Sequence, residues 1–347
     1  MQPQTNSIMG IWNSIQAAYE GYATYLWQEI TLKNEAGLWH NYFWMLLFVS
    51  VFFFGLEIIK PWRINQPKFR KDFWLDFFYM FFNFFIFSLI IYNAASSVVV
   101  EFVNNLILKI SNFDLSASNP LQYWPYWALL LSGFLVRDFV QWWTHRLLHR
   151  SNRLWEFHKV HHSVVQMGFA AHLRYHWMET IVYRTIEYIP LSLMGIGLYD
   201  FFIIHIFTLA WGHYNHANFK VSGRVTGTIV GALIGLLIVR SYPQFDSNSI
   251  LITIAISVLS GLIILAPFMK KIFNSPEMHI WHHAAELPAN RKYGINFGIT
   301  LAIWDYIFKT AEIPHDGMDI KLGFEGLSAF PDGFIAQSTH GFSNKSY

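Results

Sequence analysis

The stretch NYFWMLLFVSVFFFGLEII, residues 41–59, carries no charged side chain until Glu57. A helix that crosses a bilayer needs about 20 mostly apolar residues, so this stretch predicts the first span of a membrane protein. Further apolar runs follow at roughly 74–95, 125–144, 181–212, 226–240 and 249–269. The run at 181–212 is interrupted near Pro190 and Gly195–Gly197, which predicts a helical hairpin. The pattern therefore predicts an all-α fold, an integral membrane helical bundle.

The composition supports a membrane protein and excludes several other classes. The chain is 54% hydrophobic and only 13% charged, whereas soluble domains carry about 25% charged residues. The net charge is +2 and no basic stripe is present, so we expect no nucleic-acid partner. There is no cysteine, which excludes disulfides, thiolate metal sites and a cysteine nucleophile. Any metal must be held by nitrogen or oxygen.

The chain divides into four predicted parts. Residues 1–40 form an N-terminal segment, without the pattern of a cleaved signal peptide, whose apolar residues recur at helical spacing. This segment predicts an amphipathic helix that lies on the membrane surface or packs on the protein body. Residues 41–124 hold N-terminal transmembrane helices, with a mixed segment at 96–122, and residues 326–347 form a C-terminal tail. Between them, residues 125–325 form the predicted catalytic domain, with an apolar hairpin inserted at about 224–271.

Basic residues predict the orientation of the chain in the membrane. Lys60, Arg63, Lys68, Arg70 and Lys71 follow the first span, and the positive-inside rule places such a patch in the cytoplasm. The N-terminus is then outside and the third span returns to the cytoplasm. A second basic cluster follows the third span, as the rule requires: Arg146, Arg150, Arg153 and Lys159.

Histidines form four clusters at the ends of the predicted spans. These clusters are HRLLH (145–149), HKVHH (158–162), HYNH (213–216) and HIWHH (279–283). Spacings of three and four place side chains on one face of a helix, and neutral imidazole is a suitable ligand for iron, zinc and copper. About 0.03 matches to H-x-x-H-H are expected by chance at this histidine content, and the chain has two. The clusters predict a shared metal centre in a histidine-rich cap on the cytoplasmic side of the bundle.

The number of histidines favours two metal ions. The ten predicted ligands are His145, His149, His158, His161, His162, His213, His216, His279, His282 and His283. One tetrahedral zinc takes only four ligands, whereas ten imidazoles suit two ions with four or five each.

Two alternatives from other classes remain open on these residues. A histidine-lined metal transporter would place its polar ligands inside the spans, whereas these clusters lie at span ends on one side. A zinc metallohydrolase would need a carboxylate ligand with a paired catalytic base, and the sequence has no H-E-x-x-H motif.

Further polar residues are candidates for supporting the metal centre. Asp138 lies two helical turns before His145, where it either orients a ligand imidazole or is a polar residue facing the bundle interior. Arg174 is placed to pair with Glu179 and brace the site. His176 is a candidate for contacting the ligands or the substrate, and a hydrogen-bonded structural histidine is the alternative. Two more candidates for a supporting role are Asn296 and Asp305.

The order and spacing of the clusters resemble those of the fatty acid hydroxylase/sterol desaturase superfamily. The resemblance covers roughly 125–223 and 272–325 and rests on HRLLH, HKVHH, HYNHAN, SPEMHIWHH and the closing RKYGINFGITLAIWDYIFKT. It implies an O2-dependent, non-haem di-iron oxidoreductase that hydroxylates or desaturates a membrane lipid, sterol or carotenoid-type substrate. It also implies that the ten histidines hold two iron ions. The hairpin at 224–271 departs from the short polar connection of many family members.

The electron source is expected to be a separate protein. The sequence has no haem-binding motif of the cytochrome b5 kind and no Rossmann glycine fingerprint. We therefore expect neither haem nor flavin in this chain, and a partner that supplies electrons. The substrate and the oligomeric state are not indicated by the sequence.

The predicted orientation can be tested by cysteine labelling, because the chain has no cysteine of its own. We expect Ser7→Cys to react with a membrane-impermeant maleimide added from outside intact cells. Ser151→Cys, which lies among the second basic cluster, should react only after the cells are opened. Labelling of Ser151→Cys from outside would contradict this orientation.

Overall fold

The computed structural model describes residues 8–33, 37–92, 108–109, 121, 123–194, 196 and 198–342. Within these ranges the chain is helical and forms no β-strand; isolated bridges join Phe273 to Leu301 and Ala284 to Leu322. The mixed segment at 96–122 lies almost wholly outside the described residues. The main helices are α1 (Ile8–Ile30), α2 (Tyr42–Ile59), α3 (Phe73–Phe81, continued by a π-helix Phe82–Tyr92), α4 (Tyr126–Arg150), α5 (Asn152–His162), α6 (Trp177–Leu193), α7 (Leu198–His216), α8 (Gly223–Ser241), α9 (Ser247–Ser260, continued by a π-helix Gly261–Leu265), α10 (Met269–Ile272), α11 (Pro276–His282), α12 (Ile303–Ile307) and α13 (Phe334–Ser338).

Three described helices are long and apolar enough to cross a membrane, namely Tyr42–Ile59, Gly223–Ser241 and Ser247–Leu265. They confirm that long apolar helices form where spans are predicted, at 41–59, 226–240 and 249–269. The run predicted at 125–144 also forms a helix, α4, but it is not among the three. The reason is its polar content, since Arg137 and Asp138 are both buried in its middle.

The predicted hairpin at 181–212 consists of two helices, α6 and α7. Pro190 lies inside α6 rather than at the break, and the helices are interrupted after Met194. Proline lacks the N–H that would bond to the carbonyl four residues earlier in the helix, and α6 ends three residues beyond it. The more extensive contacts of both helices are with other elements, α6 with α4 and α7 with α2.

The N-terminal helix is attached to the body at its C-terminal end. The buried Glu29 carboxylate accepts hydrogen bonds from the backbone N–H groups of Tyr42 (3.0 Å) and Phe43 (3.2 Å). The first N–H groups of a helix have no partner within it, and a carboxylate is a favourable acceptor at this end. Trp12 and Trp27 remain about two-thirds exposed, so α1 combines an attached end with an exposed aromatic surface.

A second buried carboxylate connects the end of α2 to two segments that flank the histidine clusters. Glu57 accepts backbone hydrogen bonds from Phe169 (2.8 Å) and Asn218 (2.7 Å). It also forms an ion pair with Arg70 at 2.9 Å. A carboxylate in this setting is stabilised by its hydrogen bonds and by the adjacent guanidinium, so Glu57 fixes the loops after α5 and α7 relative to the first span.

The inserted hairpin is held by close helix contact. Gly227 and Gly231 of α8 face Gly261 and Ser257 of the second helix so closely that a Cβ on either α8 glycine would overlap a backbone carbonyl oxygen. Small residues permit this approach of two helices in a membrane. The outer apolar side chains of α9 remain mostly exposed, as expected for a helix that faces lipid: Leu251, Ile252, Ile256 and Ile263.

We expect Gly231→Leu to destabilise the hairpin by at least the roughly 1–3 kcal/mol typical of overpacking, since the obstacle is backbone rather than a movable side chain. Gly55→Leu is the matched control, because a Cβ on Gly55 in α2 meets no atom within 4 Å. Thermal unfolding in detergent should show a lower Tm for Gly231→Leu only. Equal Tm values would mean that the two helices do not pack as described.

Candidate metal centre

The histidine clusters meet in two groups of buried imidazoles. Within each group the candidate ligand nitrogens lie within 4.8 Å of one another. The first group is His145, His149, His158, His162 and His282, and the second group is His161, His216, His279 and His283. The structure thus brings nine of the ten predicted ligands together. In each of the two adjacent pairs, His161–His162 and His282–His283, one histidine belongs to the first group and the other to the second.

Hydrogen bonds from the outer nitrogens orient the rings of the first group. His145 Nδ1 donates to the carbonyl oxygen of Phe297 and His282 Nδ1 to that of Ile295, both at 2.8 Å. A carbonyl oxygen only accepts, so each Nδ1 carries the proton and each Nε2 presents a lone pair to the group. His145 Nε2 faces His158 Nε2 at 3.1 Å.

The second group gives the clearest sign of a cation. His161 Nδ1 donates to the carbonyl of Arg174 (3.0 Å), and His216 Nδ1 donates to that of Gly212 (2.8 Å). The two Nε2 atoms are therefore both acceptors, yet they face each other at 3.4 Å. Two lone pairs repel at this distance. A positive ion bound between the two nitrogens would be coordinated by both lone pairs, and the repulsion would be removed.

The residues present fit a metal site in three further respects. All the donors are imidazole nitrogens, which suit divalent transition metals. Among the described residues His149 Nε2 and His283 Nδ1 are buried polar atoms without a hydrogen-bond partner, and such atoms are uncommon unless they serve a ligand. Burial also lowers the pKa of His161 to about 3, so its imidazole is neutral, as metal binding requires. Burial likewise lowers the pKa of His158, His162, His279, His282 and His283 well below the ordinary value.

The tenth predicted ligand, His213, lies outside both groups. Its Nε2 is 3.2 Å from the hydroxyl of Ser50 and its Nδ1 is 3.1 Å from Nδ1 of His172. His213 and His216 are only three residues apart on α7, but His216 points to the second group while His213 points to α2. His172 was not among the predicted site residues. Its ring centroid lies 5.3 Å from that of His216.

Two of the predicted supporting residues have different partners from those expected. Glu179 Oε2 contacts His158 Nδ1 at 2.7 Å, so this carboxylate orients a ring of the first group directly. Arg174 does not pair with Glu179. Its guanidinium instead contacts Asp72 and Asp76 of the α3 region, each at 3.0 Å, because its side chain points away from the imidazoles. Only its backbone carbonyl serves the site.

Asn296 shapes the segment that supplies carbonyl groups to the first group. It has a positive φ of 55°, a conformation that asparagine tolerates better than most residues. Its amide donates to the carbonyls of Met278 (2.9 Å) and Glu312 (2.7 Å). This fixes the neighbouring residues Ile295 and Phe297, whose carbonyls receive the two imidazole N–H groups.

Asp305 supports the same segment from the other side. Its buried carboxylate accepts from the backbone N–H groups of Phe297 (2.9 Å) and Gly298 (2.7 Å). The indole of Trp142 and the hydroxyl of Thr310 also donate to it. Asp305 contacts no imidazole, so it acts through the backbone.

Asp138 does not orient a ligand imidazole, which leaves the other interpretation, a polar residue facing the bundle interior. It accepts from the backbone of Thr300 and Leu301 and from the indole of Trp304 at 2.8 Å. It therefore joins α4 to the segment before α12. His176 lies outside both groups, where its Nδ1 accepts from Met178 N at 3.1 Å and its ring packs on Phe157.

A cavity of about 130 Å³ adjoins both groups. Three of its lining histidines belong to the second group and two to the first; they are His145, His158, His161, His216 and His279. Its remaining walls come mainly from α4, α6 and α7. A molecule in this cavity would contact the imidazoles of both groups.

The family profile described as "Fatty acid hydroxylase" matches residues 130–235 of this chain. This range contains the first three histidine clusters and the helices that form the cavity. Over this range the chain is similar to the fatty acid hydroxylase family. The resemblance predicted from the order and spacing of the clusters is thereby confirmed.

Several curated proteins are similar to parts of the chain. An ornithine lipid hydroxylase (OlsE) from Rhizobium tropici is 27% identical over 222 residues, which is 64% of this chain and 53% of that protein. A very-long-chain aldehyde decarbonylase (GL1-10) from Oryza sativa subsp. japonica is 43% identical over 56 residues, 16% of this chain and 18% of that protein. A candidate methylsterol monooxygenase from Dictyostelium discoideum is 40% identical over 75 residues, 21% of this chain and 28% of that protein.

The matched part of the chain thus spans about half the length of the first relative and less than a third of the other two. No solved structure matches the chain.

The division into two groups can be tested with adjacent residues. We expect His282→Ala to lose metal from the first group and His283→Ala to lose metal from the second, each leaving the other ion bound. His40→Ala, a histidine outside both groups, should bind as much metal as the unmodified protein. Metal content after loading with ferrous iron, measured by mass spectrometry, checks this. Full occupancy in both variants would contradict the assignment.

Proposed function

We propose that this chain is a membrane-embedded, O2-dependent lipid oxygenase with two non-haem iron ions. The observation that carries the proposal is the convergence of nine imidazoles, eight of them on buried residues, in two groups. Five of the nine have their outer nitrogen turned to a carbonyl or carboxylate acceptor. Such an arrangement costs free energy unless cations occupy it, because it concentrates lone pairs in a buried space.

The relatives support oxidation of a lipid. Two of the three carry names that describe hydroxylation or monooxygenation of a lipid or sterol, and the third is named for the removal of a carbonyl group. These names describe different substrates and reactions. The proposal for this chain therefore follows the two oxygenases: attack on a C–H bond of a membrane lipid, sterol or carotenoid-type substrate, with hydroxylation preferred over desaturation.

Iron suits the donor set, and two bound iron ions would supply the reduction of O2 that C–H oxidation requires. The first group would hold one ion through five imidazoles and the second group would hold the other through four. The chain itself keeps these imidazoles neutral and fixed. The second nitrogens of five of them are held by Phe297, Ile295, Glu179, Arg174 and Gly212.

The imidazoles lie away from the protein surface, which suits oxidation of an apolar substrate. Eight of the nine residues are buried and His149 is partly buried, and the cavity beside them is partly open and lined mainly by apolar and polar side chains of three helices. Exclusion of water protects reactive species from side reactions. We propose further that the cap lies on the cytoplasmic side, next to the basic clusters, and that electrons come from a separate protein.

The proposal predicts oxygen incorporation into a lipid. Purified protein loaded with iron, supplied with a chemical reductant and incubated with a membrane lipid extract under isotopically labelled dioxygen, should yield a lipid that carries one labelled oxygen atom. His161→Ala should abolish the product, because this imidazole belongs to the second group. His40→Ala should form product at the rate of the unmodified protein. Mass spectrometry of the lipids provides the measurement.

Other outcomes would favour the alternative functions. A lipid that loses two hydrogens without gaining label would indicate desaturation. Product formation without O2, with zinc as the supporting metal, would indicate a hydrolase. Uptake of metal into liposomes without any lipid product would indicate a transporter and would overturn the proposal.

A further inference from the structure

The cavity beside the imidazoles has a polar end that the metal centre does not use. Each of three helices contributes a residue near the metal centre and a polar residue two turns away. On α4 these are His145 and Arg137, on α6 Glu179 and Glu187, and on α7 His216 and Thr208. Eight residues of helix span about 12 Å. The polar end therefore lies at a fixed distance from the imidazoles, and the three helices set this distance together.

The polar end is a hydrogen-bonded network centred on Glu187. Gln141 Nε2 donates to Glu187 Oε1 at 2.7 Å, and Arg137 Nε lies 3.5 Å from Glu187 Oε2. Arg137 Nη1 also donates to the hydroxyl of Thr208. Arg137 is 3% exposed, Glu187 3% and Gln141 8%. Arg184, with a side chain that is 28% exposed, lies 3.9 Å from the same carboxylate.

Burial of charged and amide groups inside a helical bundle is costly and marks functional positions. If the network only joined α4, α6 and α7, its polar atoms would be expected to satisfy one another. Among the described residues, however, Gln141 Oε1 has no hydrogen-bond partner, and Arg137 Nε makes no hydrogen bond beyond its 3.5 Å ion-pair contact with Glu187. One is an acceptor and the other is a donor, and both residues line the cavity.

The two unpaired atoms define the chemistry of a matching ligand. Glu187 compensates the charge of Arg137, and Arg184 adds a further positive charge 3.9 Å from the same carboxylate. A carboxylate ligand could not donate a hydrogen bond to Gln141 Oε1, so the matching group is a neutral one. Gln141 Oε1 needs a donor and Arg137 Nε needs an acceptor. A single hydroxyl group, or a primary or secondary amide, satisfies both, whereas an ether or ester oxygen can only accept. The cavity also has room for a short segment of chain in addition to this group, since one water needs about 10–15 Å³ of such volume.

We propose that this cavity binds a lipid by a hydroxyl or amide group held between Gln141 and Arg137, one to two helical turns from the imidazole groups. This inference rests on the proposed function, since it names the substrate class of the same site. The network then serves as the specificity-determining wall. It holds one polar atom of the substrate, and the distance along the three helices selects the carbon that reaches the metal centre.

Binding of matched ligands tests the proposal without turnover. The probes are hexadecanol, hexadecyl methyl ether and hexadecane, with hexadecanamide and its N,N-dimethyl derivative as the amide pair. Dissociation constants are measured in detergent by competition with a fluorescent fatty alcohol. We expect the unmodified protein to bind hexadecanol or hexadecanamide about tenfold more tightly than its methylated partner, the usual effect of one buried hydrogen bond.

The variant Gln141→Met removes the acceptor at similar side-chain volume, and it should abolish the preference. Gln244→Leu, in the exposed turn between α8 and α9, is the control and should retain it. The preferred pair identifies whether the group is a hydroxyl or an amide. Equal binding of methylated and unmethylated probes by the unmodified protein, or an unchanged preference in Gln141→Met, would overturn the inference. Should the variant not fold, the preference of the unmodified protein alone decides.

Product analysis separates this inference from the proposed function. Across alcohols or amides of different chain length, the oxidised carbon should stay at a constant position counted from the polar group. A constant position counted from the methyl end would contradict the polar anchor but not the oxygenase activity. Conversely, selective binding without any O2-dependent product would contradict the oxygenase activity and leave the anchor standing.

Discussion

The structure of the cap depends on one interaction repeated around it, the hydrogen bond from an outer imidazole nitrogen to an acceptor oxygen. Each such bond fixes both the rotation of a ring and the nitrogen that keeps its lone pair. The acceptors come from distant parts of the chain, for example Phe297 for His145 and Arg174 for His161. Buried carboxylates, above all Asp305, in turn hold some of these acceptors in place. The inner nitrogens of these imidazoles converge because the outer nitrogens are hydrogen-bonded to oxygens around the site.

Much of this could be predicted from the sequence, because helical periodicity is a local property. Spans at 41–59, 226–240 and 249–269 follow from apolar length, and the clusters at 145–149, 158–162 and 279–283 follow from spacing that places histidines on one face. The position of His213 could not be predicted in the same way. Its spacing to His216 is compatible with a common target, and only the packing of α7 against α2 directs the two rings apart.

Long-range partners account for the other differences. Arg174 and Glu179 are five residues apart and carry opposite charges, which makes a local ion pair the simplest interpretation of the sequence. In the folded chain Asp72 and Asp76 contact Arg174 from a segment about 100 residues away. Glu179 instead contacts the His158 ring. The polar wall formed by Arg137, Gln141 and Glu187 was likewise not predicted, since it exists only where α4 and α6 meet.

The doubled histidines of the two H-x-x-H-H motifs have a geometrical consequence. Successive residues on a helix point about 100° apart, and His161–His162 and His282–His283 each send one ring to either group. At two separate places, therefore, one peptide bond joins a histidine of the first group to a histidine of the second. The distance between the two groups is therefore limited by covalent geometry and depends less on how the helices pack against one another. Rearrangements of the surrounding bundle can then reshape the cavity for different substrates while the two groups keep their separation.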